Sequence, residues 1–206
     1  FFGAKAHKAV SDATHTAIAV SLIGAVILTI VGYFSASYVL ELCRTPEDVF
    51  EESLIYIEIY YLGLIWTFLY NMGSSILRAI GDSRRPLYFL IVACVANIIL
   101  DLLFVIVIPM GVAGVALATT LAQCISAVLV ILSLMRTNES YKLKLREIRF
   151  SPFLLRNIIR IGLPAGLQTS MYSISNLLVQ ASVNRFGTDT IAAWTAHGKV
   201  DSIFWM

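Results

Sequence analysis

Residues 86–108 read PLYFLIVACVANIILDLLFVIVI. The stretch is longer than the about 20 apolar residues a helix needs to cross a bilayer. It holds a single charged side chain, Asp101. Asn97 stands four residues earlier, so amide and carboxylate share one face of the expected helix. A carboxylate at membrane depth costs roughly 2.5–3.5 kcal/mol on insertion scales, and acids kept there despite that cost mark ion or substrate pathways.

The composition agrees with a membrane setting. Of the 206 residues, 58% are hydrophobic and 14% charged, and the mean hydropathy is +0.81. A soluble globular chain carries about 25% charged residues. Cys43, Cys94 and Cys124 show neither metal-ligand spacing nor a disulfide framework. The chain opens on FFGAKAHK and stops on SIFWM within an apolar segment, as expected of an internal piece of a longer protein.

Outward from the central stretch the pattern repeats. Residues 16–40 carry no charge, 53–75 form a second apolar run rich in aromatics, and 111–135 a fourth. Residues 161–184 are expected to form a fifth span, with Gly162, Pro164 and Gly166 near its entrance, and 190–206 to begin a sixth. The fourth run opens on Gly, Ala and Thr, which let helices approach closely. The loop at 41–52 is acidic, and those before 86 and at 136–160 are basic. Twelve of the fifteen Lys and Arg fall in segments on one side, which the positive-inside rule places in the cytoplasm. The central span then runs outward and the next returns.

Depth can be compared across the tight turn at Pro109, Met110 and Gly111. Asp101 and Thr119 each stand eight residues from that turn. On straight α-helices this sets both roughly 12 Å below it. Asn97, Asp101 and Thr119 are expected to form one polar cluster, with Gln123 level with Asn97. Oxygen ligands of this kind suit a proton or a hard cation such as Na⁺. The competing reading of Asn97, Thr119 and Gln123 is interhelical hydrogen bonding that holds a bundle together. It fits Asp101 poorly, because no Lys or Arg lies at matching depth.

The stretches GSSILRAIGDSRRPLYF and NIILDLLFVIVIPMGVAGVALATTLAQ closely resemble the MATE multidrug exporters of the wider MOP superfamily. FFGAKAHKAVSDATHTAI and RIGLPAGLQTSMYSISNLLV fit the same family. The resemblance implies an all-α polytopic bundle, part of a twelve-helix, two-lobe transporter. Here it would cover family helices three to seven and the start of eight. Residues 1–135 would belong to the N-lobe, 136–160 to the cytoplasmic connector and 161–206 to the C-lobe. Asn97 and Asp101 match the family's helix-five pair, and Thr119 the helix-six threonine of the same cation site. The family's helix-one aspartate lies before Phe1, and helix seven here has no carboxylate, which points to the branch relying on the N-lobe.

The implied function is antiport, not enzyme catalysis. Cationic amphipathic compounds would leave in exchange for H⁺ or Na⁺, with no cofactor and no nucleic-acid partner. The full-length protein is expected to be monomeric and multi-pass in the plasma (inner) membrane. Substrate-cavity candidates are Tyr60, Trp66, Tyr70, Gln123, Gln168 and Asn176, with interface belts or helix packing as the plainer reading. Arg78, Asp82, Arg84 and Arg85 are read chiefly as topology anchors. His7 and His15 are expected at the membrane interface. The alternative function is a lipid-linked oligosaccharide flippase of the same superfamily, which would be expected to need a cationic cavity. An intramembrane aspartyl protease would need a second acid at the depth of Asp101, and Asp82 lies too far along the chain.

Overall fold

The structure, a computed structural model, describes residues 6–42, 45, 47–148, 150–183, 194 and 198. The expected segment at 190–206 and the turn before it lie almost wholly outside these residues. Two compact units are present, Phe1–Leu155 and Arg156–Met206. In the first unit, α1 spans His7–Leu42, α2 Glu47–Ala79, α3 Arg84–Leu102 and α4 Gly111–Arg136. A π-helical turn, Leu103–Val107, continues α3. A fifth helix, α5, spans Pro152–Val183 and lies largely in the second unit.

The helices overrun the apolar runs. α1 begins at His7 and α2 already at Glu47, so the acidic loop expected over 41–52 is largely helical. Charged ends extend a helix at little cost once the apolar middle has nucleated it. Among the described residues, α1 to α4 are long and apolar enough to cross a membrane. α5, expected from its sequence to be a fifth span, is not among these four. Its hydroxyls and amides dilute its hydropathy. The hydroxyls of Thr169, Ser170 and Ser173 each donate to the carbonyl one turn back, at 3.0–3.1 Å.

α2 ends in a Schellman motif. Gly81, at φ +91°, occupies the left-handed position that glycine adopts freely. The Asp82 and Gly81 amides donate to the carbonyls of Leu77 and Arg78. Asp82, two residues before α3, then braces its first turn. Its Oδ1 accepts the Arg85 amide at 3.1 Å, and its Oδ2 pairs with Arg85 Nε at 3.1 Å. Pro86 falls in the first turn of α3, where a missing N–H leaves nothing unsatisfied.

Packing runs α1 on α2, α2 on α4 and α4 on α3. The contacts depend on small residues, as expected where hydrocarbon surrounds the bundle. A Cβ on Gly32 would run into the Tyr61 ring; on Gly63 it would stand 2.8 Å from Thr120, and on Gly73, 2.9 Å from Val130. α4 buries Gly114, Ala116, Ala118, Ala122 and Ala127. Larger side chains collect at the basic end, where Val10, Ile18, Leu77, Val130 and Leu134 close around Tyr141 and Leu143.

Gly32→Ala is expected to destabilise the full-length protein by about 1–3 kcal/mol through overpacking against Tyr61. Thermal unfolding in detergent measures this. Adding Tyr61→Ala should recover part of the loss, and an unchanged melting temperature in Gly32→Ala would contradict the close approach.

Candidate functional site

The inward stripe of α3 is short. Leu90, Ile91, Ile98, Ile99 and Leu102 are exposed, as apolar groups facing hydrocarbon would be. Ala93 is buried, and Asn97, Leu100, Asp101 and Phe104 are half-buried. These positions recur at helical spacing, so they form the face turned to α4, the helix on which α3 chiefly packs. Phe104 and Gly114 fix that contact. A Cβ on Gly114 would meet Phe104 Cβ at 3.0 Å and its carbonyl oxygen at 3.1 Å.

Two atoms on this stripe lack partners. Asn97 Nδ2 and Asp101 Oδ1 are shielded from solvent and make no hydrogen bond. A buried polar atom left unmatched costs about 1–3 kcal/mol, more if charged. A proton or a small cation at Asp101 Oδ1 would remove that cost. A half-turn of the Asn97 amide brings its carbonyl oxygen to the position of Nδ2, adding a neutral ligand beside the acid.

The depth estimate changes beyond Asp101. Ile108 donates to the Leu103 carbonyl at 3.0 Å and Met110 to that of Phe104 at 2.8 Å. The last turn is therefore wound as π-helix, and the α-helical rise does not apply between Asp101 and Pro109. Such turns often accompany functional positions. Nothing in 103–107, LFVIV, announces it.

The remaining candidates divide. Thr119 and Gln123 are half-buried on α4. Among the described residues, no side-chain hydrogen bond joins Thr119 to Asn97 or Asp101. Its neighbour Thr120 points to α2, donating to the Ile59 carbonyl at 3.4 Å. Tyr60 is exposed and stacks on Tyr56, with centroids 6.4 Å apart. Trp66 is half-buried. The Tyr70 hydroxyl donates to the Pro86 carbonyl at 3.1 Å, tying α2 to the start of α3. Gln168 and Asn176 are exposed on α5, and Gln168 lines an open hollow with Pro164, Met171 and Tyr172.

His15, placed at the interface by its sequence position, is instead 2% exposed. Its Nδ1 lies 2.7 Å from the Ser11 carbonyl, and its Nε2 accepts the Lys144 amide at 3.2 Å. The alternation YKLKL over 141–145 was the available sign that this polar stretch docks on the bundle.

The sequence profile of the MatE family matches residues 1–103. The chain is 33% identical over 178 residues to the probable multidrug resistance protein YpnP of Bacillus subtilis (strain 168), covering 84% of this chain and 38% of that protein. It is 30% identical over 211 residues to the probable multidrug resistance protein YoeA of the same strain, covering 98% and 45%. The fold is similar, with TM-score 0.81 and 24% identity, to a multidrug resistance MATE family transporter of the MOP superfamily solved in an inward-facing conformation. That match covers 98% of this chain and 46% of the other. The chain thus spans less than half the length of these relatives.

Tyr70→Phe is expected to lower stability by about 0.5–1.5 kcal/mol through loss of one hydrogen bond. Substrate affinity, read by a binding titration of the full-length protein, should stay unchanged. A weakened affinity with unchanged stability would assign Tyr70 to the cavity.

Proposed function

The chain belongs to the MATE family, a family of transporters and not of enzymes, and on that premise we propose that the full-length protein is a secondary antiporter. It exports cationic, amphipathic compounds in exchange for H⁺ or Na⁺ and needs no cofactor. It works as a monomer in the plasma membrane and binds no nucleic acid. Asp101, Asn97 and Thr119 carry the coupling ion, and residues 136–160 join the lobes.

The observation that supports this most is the unmatched, buried Oδ1 of Asp101 one turn from the unmatched amide of Asn97. A purely structural acid would be expected to have a base or a hydrogen-bond donor. An acid that alternates between cation-bound and cation-free states must keep an oxygen available. Coupling follows if only the loaded, neutralised site lets the bundle rearrange, because an uncompensated charge resists transfer through apolar surroundings. The antiporter is favoured over a flippase of lipid-linked sugars because the Lys and Arg described on α1 to α4 stand near helix ends: Lys8, Arg78, Arg84, Arg85 and Arg136.

Asp101→Asn in the full-length protein should abolish ion-driven efflux of an ethidium-like cation from vesicles while leaving membrane insertion intact. Asn97→Ala and Thr119→Ala should each reduce efflux at a fixed gradient. Proton and sodium gradients imposed separately identify the ion. Wild-type efflux in Asp101→Asn would overturn the coupling role, and wild-type efflux in both of the others would return them to packing.

A further inference from the structure

His15 sits where α1 meets the stretch between α4 and α5. A carbonyl only accepts, so Nδ1 carries the proton shared with Ser11, and Nε2, which takes the Lys144 amide, must be bare. His15 is therefore the neutral Nδ1–H tautomer, with both ring nitrogens engaged. The contact joins residues 129 apart in sequence. It has company: the Ser151 amide donates to Thr16 Oγ1 at 3.2 Å, the Leu143 amide to the Leu134 carbonyl at 2.9 Å, and His7 bonds Ser140. Tyr141 and Leu143 are buried beneath.

We propose that His15 is a proton-sensitive clasp that holds the stretch 137–151 against the basic end of the bundle. Protonation at Nε2 turns the acceptor of the Lys144 amide into a second donor, and two donors cannot bond. It also adds a positive charge at an end that already carries Arg78 on α2 and Arg136 on α4, with Lys142, Lys144 and Arg146 on the stretch itself. Of the acids on these elements, Glu147 pairs with Lys144 at 2.9 Å, Asp12 has a partner of its own, and Glu139 is exposed on the stretch itself. His7, on the same helix, bonds Ser140, whose hydroxyl accepts as readily as it donates, so that tie holds whichever role the ring nitrogen takes. Thr16 and the backbone tie at Leu143 do not titrate, so release is local and begins at Lys144. Because only the bare Nε2 can accept from the Lys144 amide, the clasp is sensitive to protonation on the side where α1 begins. It stands apart from any ion coupling at Asp101.

Residue-resolved hydrogen–deuterium exchange on the full-length protein tests this, with rates corrected for intrinsic pH dependence. In the wild type, the Lys144 amide should exchange roughly tenfold faster at about pH 5.5 than at about pH 8, the equivalent of losing one hydrogen bond. In His15→Gln, which retains an acceptor, Lys144 should be protected equally at both. In His15→Leu it should be unprotected at both; if that variant does not fold, the comparison of wild type with His15→Gln stands alone. Equal protection of Lys144 at both pH values in the wild type would overturn the clasp. So would an acid-induced loss that persists in His15→Gln.

Discussion

A carboxylate oxygen shut away from solvent without a donor is the constraint on which the reading of this bundle depends. Asp101 Oδ1 is in that position, and Asn97 Nδ2 shares it one turn away. Hydrophobic packing alone would remove such groups, because an apolar side chain of similar size would carry no desolvation cost. Their retention on the stripe of α3 that faces α4 is intelligible if a cation completes them. The surrounding structure then has one task, to keep that stripe turned inward while most of α3 stays apolar and exposed. The backbone-close contact of Gly114 with Phe104 does this at one end, and the tie from Tyr70 to Pro86 at the other.

The rest of the first unit divides into two packing regimes. Along the helices, contact is made by glycine, alanine and threonine, and the axes approach closely at Gly32, Gly63 and Gly73. At the basic end, larger side chains close around Tyr141 and Leu143, and the polar stretch after α4 becomes part of the core. The first regime leaves little room for side-chain rearrangement. The second is held by a few directional bonds, including those of His15 and Thr16, and such bonds can be switched singly.

Much of this was legible in the sequence because its signals are strong and local. Runs of apolar residues fix helices, and the Lys and Arg distribution fixes their alternation. The placing of Asn97 and Asp101 on one face needed only the helical period. Other features were hidden because they depend on partners distant in the chain. His15 reads as an interfacial residue until Lys144, 129 residues away, is brought to it. The π-turn after Asp101 reflects the tight connection into α4, and LFVIV itself has no preference for it. The polar stretch over 136–160 was read by its charges, although Tyr141, Leu143 and Leu154 are buried within it. The start of α5 at Pro152 follows from the helix extending into charged residues whose own propensity permits it.

The unmatched oxygen is tested most directly by thermal unfolding of the full-length protein across sodium concentrations and pH, in the wild type and in Asp101→Asn. A ligand bound only by the folded state stabilises it, by about 2.7 kcal/mol at a hundred times its dissociation constant. If Asp101 is the ligand, one of the two cations should raise the wild-type melting temperature, and the rise should vanish in Asp101→Asn. An equal rise in both proteins, or none in the wild type with either cation, would contradict it.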